Sequence, residues 1–192
     1  MILASKSPRR KEILNDFGFD IKIDSIDIDE VSDKIEIVDQ LMDISKKKSE
    51  EVAKKYPDEY VVSADTAVIV DGEMLGKPKS ESEAKKMLEK LSGRNHKVIT
   101  AYTVFNLSKE IAHSSYDTTV VYFKKLTNKE IDWYVGTREP MDKAGAYGIQ
   151  GKGTILIEKI EGDFYNVMGF PMSKFYEDLK SLGLDIESIK QI

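Results

Sequence analysis

The chain has 192 residues, 41% hydrophobic and 33% charged, which is the length and composition of a globular protein with one full core. Its 29 basic and 34 acidic residues are intermixed, so no global field draws it to nucleic acid or an anionic membrane, and an anion site must be local. It has no cysteine, no apolar run near the ~20 residues that span a bilayer and no signal-peptide pattern, which excludes disulfides, thiolate metal sites and cysteine nucleophiles and fits a cytoplasmic protein.

Residues 2 to 5 (ILAS) read as a short strand running into Ser7 as helix N-cap, with Pro8 at the first helical position and Gly18 as the stop. Arg9, Arg10 and Lys11 then fall in the first turn. A helix start has unpaired N–H groups and partial positive charge, so cations there are disfavoured by about 0.3 to 1 kcal/mol each. An anion docked against serine hydroxyls, backbone N–H groups and guanidinium forks accounts for them; pairing with surface carboxylates does so too. The acidic alternation DSIDIDE ends at Glu30, which is either a metal-facing carboxylate or one of several solvated acids.

A helix is predicted from 36 to about 56, its apolar stripe passing through Ile37, Leu41, Ile44 and Val52. Lys48 falls on that stripe, as a long side chain that either snorkels or serves a site. Residues 60 to 70 (YVVSADTAVIV) read as a buried central strand, turned by Asp71-Gly72. Asp65 interrupts this run, and a buried carboxylate needs a partner such as a metal ion, an arginine or a lysine.

Ser80 with Glu83 reads as a capping box for a helix that carries Ala84, Met87, Leu88 and Leu91 on one face and is closed by Gly93. Strands follow at about 97 to 106 and 111 to 123, then a helix capped by Thr127 with Glu130. KAGAYGIQGKG, residues 143 to 153, lacks the spacing of a phosphate-binding P-loop. Its glycines still allow backbone to approach a ligand among Asp142, Lys143, Tyr147 and Gln150, whose amide offers a donor and an acceptor. A strand, a Gly-Phe-Pro turn and an amphipathic helix at about 172 to 182 close a mixed α/β pattern. His96 and His113 have no metal-ligand spacing and carry no expected catalytic role.

ASKSPRRKEIL at 4 to 14, SADTAV at 63 to 68, GKP at 76 to 78, LSGRNHKVITAYTV at 91 to 104 and EPMDKAGAYGIQGKG at 139 to 153 together resemble the Maf family of nucleoside triphosphate pyrophosphatases. The resemblance runs nearly end to end and implies one domain over 1–192, with an elongated, curved sheet flanked by helices, two lobes around a cleft, and the inosine triphosphate pyrophosphatase-like fold. It also implies hydrolysis of a nucleoside triphosphate to the monophosphate and pyrophosphate, assisted by a divalent cation. Oxygen ligands and a triphosphate favour Mg²⁺ or Mn²⁺.

By the same resemblance Asp65 is the proton acceptor, or a metal-bound activator with Glu30 as a further metal ligand. Arg9, Thr66 and Gln150 match the branch that reads dTTP and UTP, while Ser5, Ser7, Arg10, Lys48 and Lys77 stand where the family places phosphate contacts. ISKKKSEE departs from the family's alanine-rich pattern, so Lys46 and Lys47 are alternatives to Lys48. The family's older name, from septum-formation inhibition, supplies the rival reading of a non-catalytic nucleotide-binding regulator. For a homodimer the sequence carries no argument.

Overall fold

The computed structural model describes residues 1–184, so the last eight positions of the expected 1–192 domain lie outside the described residues. Strand β1 (Ile2–Leu3) leads into helix α1 (Pro8–Asp16), followed by β2 (Lys22–Ile23), α2 (Ile37–Ala53), β3 (Val61–Val70) and β4 (Glu73–Leu75). Helix α3 (Glu81–Leu91), the long strands β5 (Asn95–Asn106) and β6 (Ile111–Phe123), and α4 (Asn128–Gly136) come next. Three 3₁₀ turns, Glu139–Asp142, Ala144–Ala146 and Gly151–Leu156, precede β7 (Ile157–Glu161), α5 (Phe164–Met168) and α6 (Met172–Ser181).

The strands form a mixed sheet in the order β2-β1-β3-β5-β6-β7, with β4 added to β3. Strand β1 runs parallel to β2 and β3, whereas β4 on β3 and β7 on β6 are antiparallel. The Asp71-Gly72 turn has φ of 54° and 76°, the two positive values that a tight hairpin requires. Helix α2 stops three residues short of the expected 56, because Pro57 disfavours helical backbone in the residue before it. Thr127 and Glu130 make the full reciprocal capping box. At α3 only half of the expected box forms: Ser80 accepts from the Glu83 N–H, but the Glu83 carboxylate reaches past Ser80 to the N–H of Lys79 at 2.8 Å. Helix α5 and the 3₁₀ turns, too short to show a period, were not anticipated.

The chain divides into two compact units. Of the described residues, the first takes 1–65, 100–117 and 169–184. Ile2, Ala4, Val52, Ala53, Val61 and Phe105 form one of its cores, and the rings of Phe19, Tyr102, Phe170 and Phe175 pack nearby in tilted and edge-on pairs. Asp178 pins α6: its carboxylate accepts from Tyr102 Oη and from Lys174 Nζ at 2.9 Å, and His113 Nε2 lies 3.1 Å from it.

The second unit takes residues 66–99 and 118–168. Helix α3 buries the expected Ala84, Met87, Leu88 and Leu91, and α4 buries Ile131, Tyr134 and Val135, in a core with Val68, Val98, Val121 and Phe123. His96, 2% exposed, lies edge-on to Phe123 and Tyr147, and its Nε2 is 2.6 Å from the Tyr147 hydroxyl. Burial without a charge partner pushes this imidazole down to about 4.

Candidate active site

Ser5, Ser7, Arg9, Arg10, Glu30, Lys48 and Asp65 all belong to the first unit. Ser7 occupies the N-cap of α1 with extended backbone, yet its side chain makes no capping bond. Ser5 organises the turn instead, its Oγ accepting from the Ser7 N–H at 3.2 Å and from Arg10 Nη1 at 3.0 Å. Arg10 Nε donates to the carbonyl of Gly169 at 2.9 Å, so the guanidinium is held at two points. Burial lowers the Arg10 pKa, and Arg9 adds to that, while Asp65 and Glu30 pull the other way. No acidic residue stands in the first turn of α1 to relieve the cations there.

Of the three neighbouring lysines, Lys48 is the one paired with Glu30 and Asp65. Lys46 is exposed, and Lys47 is drawn off to Asp43 Oδ2 at 2.7 Å and the Val31 carbonyl at 3.1 Å. The Lys48 side chain is 14% exposed and its Nζ lies 2.7 Å from Glu30 Oε1 and 3.4 Å from Asp65 Oδ1. Glu30 has no helix or strand of its own; its flank is tied to α2 by Lys47 on Val31 and by the Ser32 hydroxyl, which donates to Asp43 at 2.7 Å.

A lattice of buried hydroxyls seats α2 where Lys48 meets Asp65. Ser49 Oγ donates to Ser63 Oγ at 2.9 Å and to the Thr103 carbonyl at 3.3 Å, Ser63 Oγ donates to the Ser45 carbonyl, and the Ser45 and Thr103 hydroxyls are 2.8 Å apart. Ser45, Ser49, Ser63 and Thr103 are each fully buried. Sequence reading missed them, because a serine inside a helix or strand shows its use only once the partner strand is known.

Thr66, Lys77 and Gln150 belong to the second unit. Thr66 follows Asp65 directly on β3 and is half-buried, and Lys77 is exposed after β4. The segment 143–146 is fixed to the GKP turn by the Gly145 N–H, which donates to the Gly76 carbonyl at 3.0 Å. Only glycine serves at 145: φ is 66°, and a Cβ would lie 2.9 Å from both methyls of Val68. Gln150 is half-buried with extended backbone, and its side-chain amide makes no hydrogen bond among the described residues. Two side chains offered to a ligand by the sequence turn to protein instead. Lys143 Nζ binds the Glu139 carbonyl at 2.6 Å and Asp142 Oδ1 at 2.7 Å, and Tyr147, 5% exposed, is spent on His96.

The mixed sheet with flanking helices defines an α/β protein similar in fold to the Staphylococcus aureus Ham1 protein, with a TM-score of 0.50 and 17% identity over 81% of this chain and 78% of that one. The Maf-like protein family model matches residues 1–182, and the chain belongs to that family. A Fusobacterium nucleatum dTTP/UTP pyrophosphatase is 50% identical over 192 residues, the whole of both chains. A Pyrococcus abyssi dTTP/UTP pyrophosphatase is 47% identical over 94% of this chain and 95% of its own.

Proposed function

We propose that the protein hydrolyses dTTP and UTP to the nucleoside monophosphate and pyrophosphate. Support comes from the family, from the two relatives of that name, and from one observation above all: Glu30, Lys48 and Asp65 form a carboxylate–ammonium–carboxylate row. A pure binder of a polyanion gains little from two carboxylates unless a cation bridges them to it.

The Lys48 ammonium is a positive charge accommodated between two oxygen-donor groups, which is the chemistry that Mg²⁺ or Mn²⁺ asks for. Glu30 and Asp65 would hold the ion. Among the described residues no group of three or more His, Cys, Asp or Glu side chains could hold a metal, so phosphate and water oxygens would complete the coordination. Such an ion supplies neutralisation of the triphosphate charge and a more acidic water. Asp65 takes the proton of the water that attacks the α-phosphorus; the bond from that phosphorus to the bridging oxygen breaks, and pyrophosphate leaves. Ser5, Ser7, Arg10, Lys48 and Lys77 contact phosphates, and Arg9, Thr66 and Gln150 read the base. Uracil and thymine present acceptor, N–H donor and acceptor along one edge, which suits an amide and a guanidinium; cytosine reverses two of those groups. Lack of cysteine and of an apolar spanning helix among the described residues is compatible with work in a reducing cytosol.

The deciding experiment incubates the protein with each common triphosphate and Mg²⁺ and assays pyrophosphate against orthophosphate. Pyrophosphate from dTTP and UTP, lost in Asp65→Asn by at least about a thousandfold in kcat without loss of fold, is expected. Orthophosphate alone, or an active Asp65→Asn protein, would overturn the reading. Nucleotide binding without turnover would leave the regulator of septum formation in its place.

A further inference from the structure

The segment that carries Gln150 is folded back on itself around a single carboxylate. Glu139 Oε1 accepts from the Tyr134 hydroxyl at 3.0 Å and from the Gly153 N–H at 3.1 Å, and Oε2 accepts from the Lys152 N–H at 3.0 Å. The Tyr134 hydroxyl in turn accepts from the Gly148 N–H at 3.1 Å. The two ends of the hexapeptide 148–153 are thus fastened to one tyrosine–glutamate pair, and Gln150 is presented from between them. Shape reinforces the bonds: a Cβ on Gly153 would lie 2.3 Å from the Gly148 carbonyl and 2.7 Å from the Tyr134 hydroxyl, and one on Gly151, at φ 64°, would lie 3.0 Å from Glu139 Oε2. Burial raises the Glu139 pKa, but the N–H groups of Lys152 and Gly153 and the Tyr134 hydroxyl outweigh it, so the carboxylate is held below its usual range.

The hydrogen bonds of this pair are made within the second unit, and the ion pairs of Glu30, Lys48 and Asp65 within the first. Holding a loop for packing alone calls for apolar contacts. A carboxylate that takes two backbone N–H groups and a hydroxyl fixes instead the direction of the backbone between them. We propose that Glu139, acting with Tyr134, is the specificity-positioning residue of this protein: it sets the direction in which the Gln150 amide is presented to the edge of a pyrimidine base. This rests on the reading of Gln150 as a base contact.

Two isosteric variants test it on the full chain. In Glu139→Gln one loop N–H faces an amino group whichever way the new amide lies, and Tyr134→Phe removes the acceptor from Gly148. Both are measured for kcat and KM with UTP, dTTP and CTP, and for amide hydrogen exchange at 148–153. The expected result is faster exchange at Lys152 and Gly153 in Glu139→Gln and at Gly148 in Tyr134→Phe. The ratio of kcat/KM for UTP over CTP should fall by about tenfold, mostly through KM, with kcat for UTP changed by less than about threefold. An unchanged ratio, whatever the exchange does, overturns the inference, as does an equal fall with all three nucleotides, which marks a merely structural bracket. Should the wild type itself treat UTP and CTP alike, the base-reading premise fails instead, and that outcome is separately visible before any variant is made.

Discussion

Lys48 balances one positive charge against the two carboxylates at 2.7 and 3.4 Å, which leaves the row with a formal charge of -1. A divalent ion held there, as proposed, would compete with the ammonium for the same oxygens. Lys48→Met should bind Mn²⁺ about tenfold more tightly than wild type when no nucleotide is present, and Asp65→Asn about tenfold more weakly, while both lose turnover. Titration calorimetry of the nucleotide-free proteins measures this; equal affinities in all three would show that these carboxylates do not hold the ion. At this scale the sequence was informative wherever a residue offended its surroundings. Asp65 in an apolar strand and Lys48 on an apolar stripe drew attention singly, and they prove to be partners. Glu139 offended nothing, since a glutamate before a proline reads as an ordinary turn residue, and its use appears only when 148–153 folds back on it.

Among the elements, α2 is seated by hydroxyls as well as by Leu41, Ile44 and Val52. Ser49→Ala deletes the donor to both Ser63 and the Thr103 carbonyl and should cost about 1 to 3 kcal/mol in urea unfolding. Because Lys48 is the preceding residue, kcat/KM should fall as well; a drop in stability with activity intact would separate the seating of α2 from the site. Elements with a strong period or a box were legible in the sequence: the buried face of α3 and the Thr127 box are as read. Their ends were not, since Pro57 cut α2 short and Glu83 reached one residue beyond its expected partner. Short turns such as 139–142 and 144–146 have no period to read, and they are what shape the Gln150 segment.

At the scale of the whole molecule, His96 in the second unit and Asp178 in the first both weaken the fold as pH falls. His96 binds its proton near 6.5 when unfolded but only near 4 when folded, so its contribution is complete above pH 6.5 and is lost as pH falls to 4, by about 3 kcal/mol. Burial alone would raise the pKa of Asp178, but hydrogen bonds from Tyr102 and Lys174, with His113 and Ser115 beside them, bring it from 3.8 down to about 2. Its contribution of about 2 kcal/mol is complete above the unfolded value and disappears between pH 4 and 2. Urea unfolding across pH should show both slopes; His96→Gln should flatten the upper one and Asp178→Asn the lower one. A variant that kept its slope would remove that residue from the account. The α/β class was readable from alternating periods, but the strand order was not, because strands as short as β1 and β2 give almost no pattern and the neighbours of β3 come from distant parts of the chain.

The chain passes from one unit to the other at 65/66, 99/100, 117/118 and 168/169, and the first three of these passages lie inside β3, β5 and β6. Neither unit can then be inherited as a module. A chimaera that exchanged the whole second unit with a relative would need seams in the middle of three strands, where a slip of one residue turns every side chain to the opposite face. Residues 137–154 are different: they form one uninterrupted stretch of the second unit, and both of its ends lie outside the strands. Such a cassette would carry the Gln150 share of the proposed base reading on one piece of chain, while Arg9, Thr66 and the Glu30–Lys48–Asp65 row stay behind. Tyr134, just upstream, has to be matched by the host for the cassette to keep its shape.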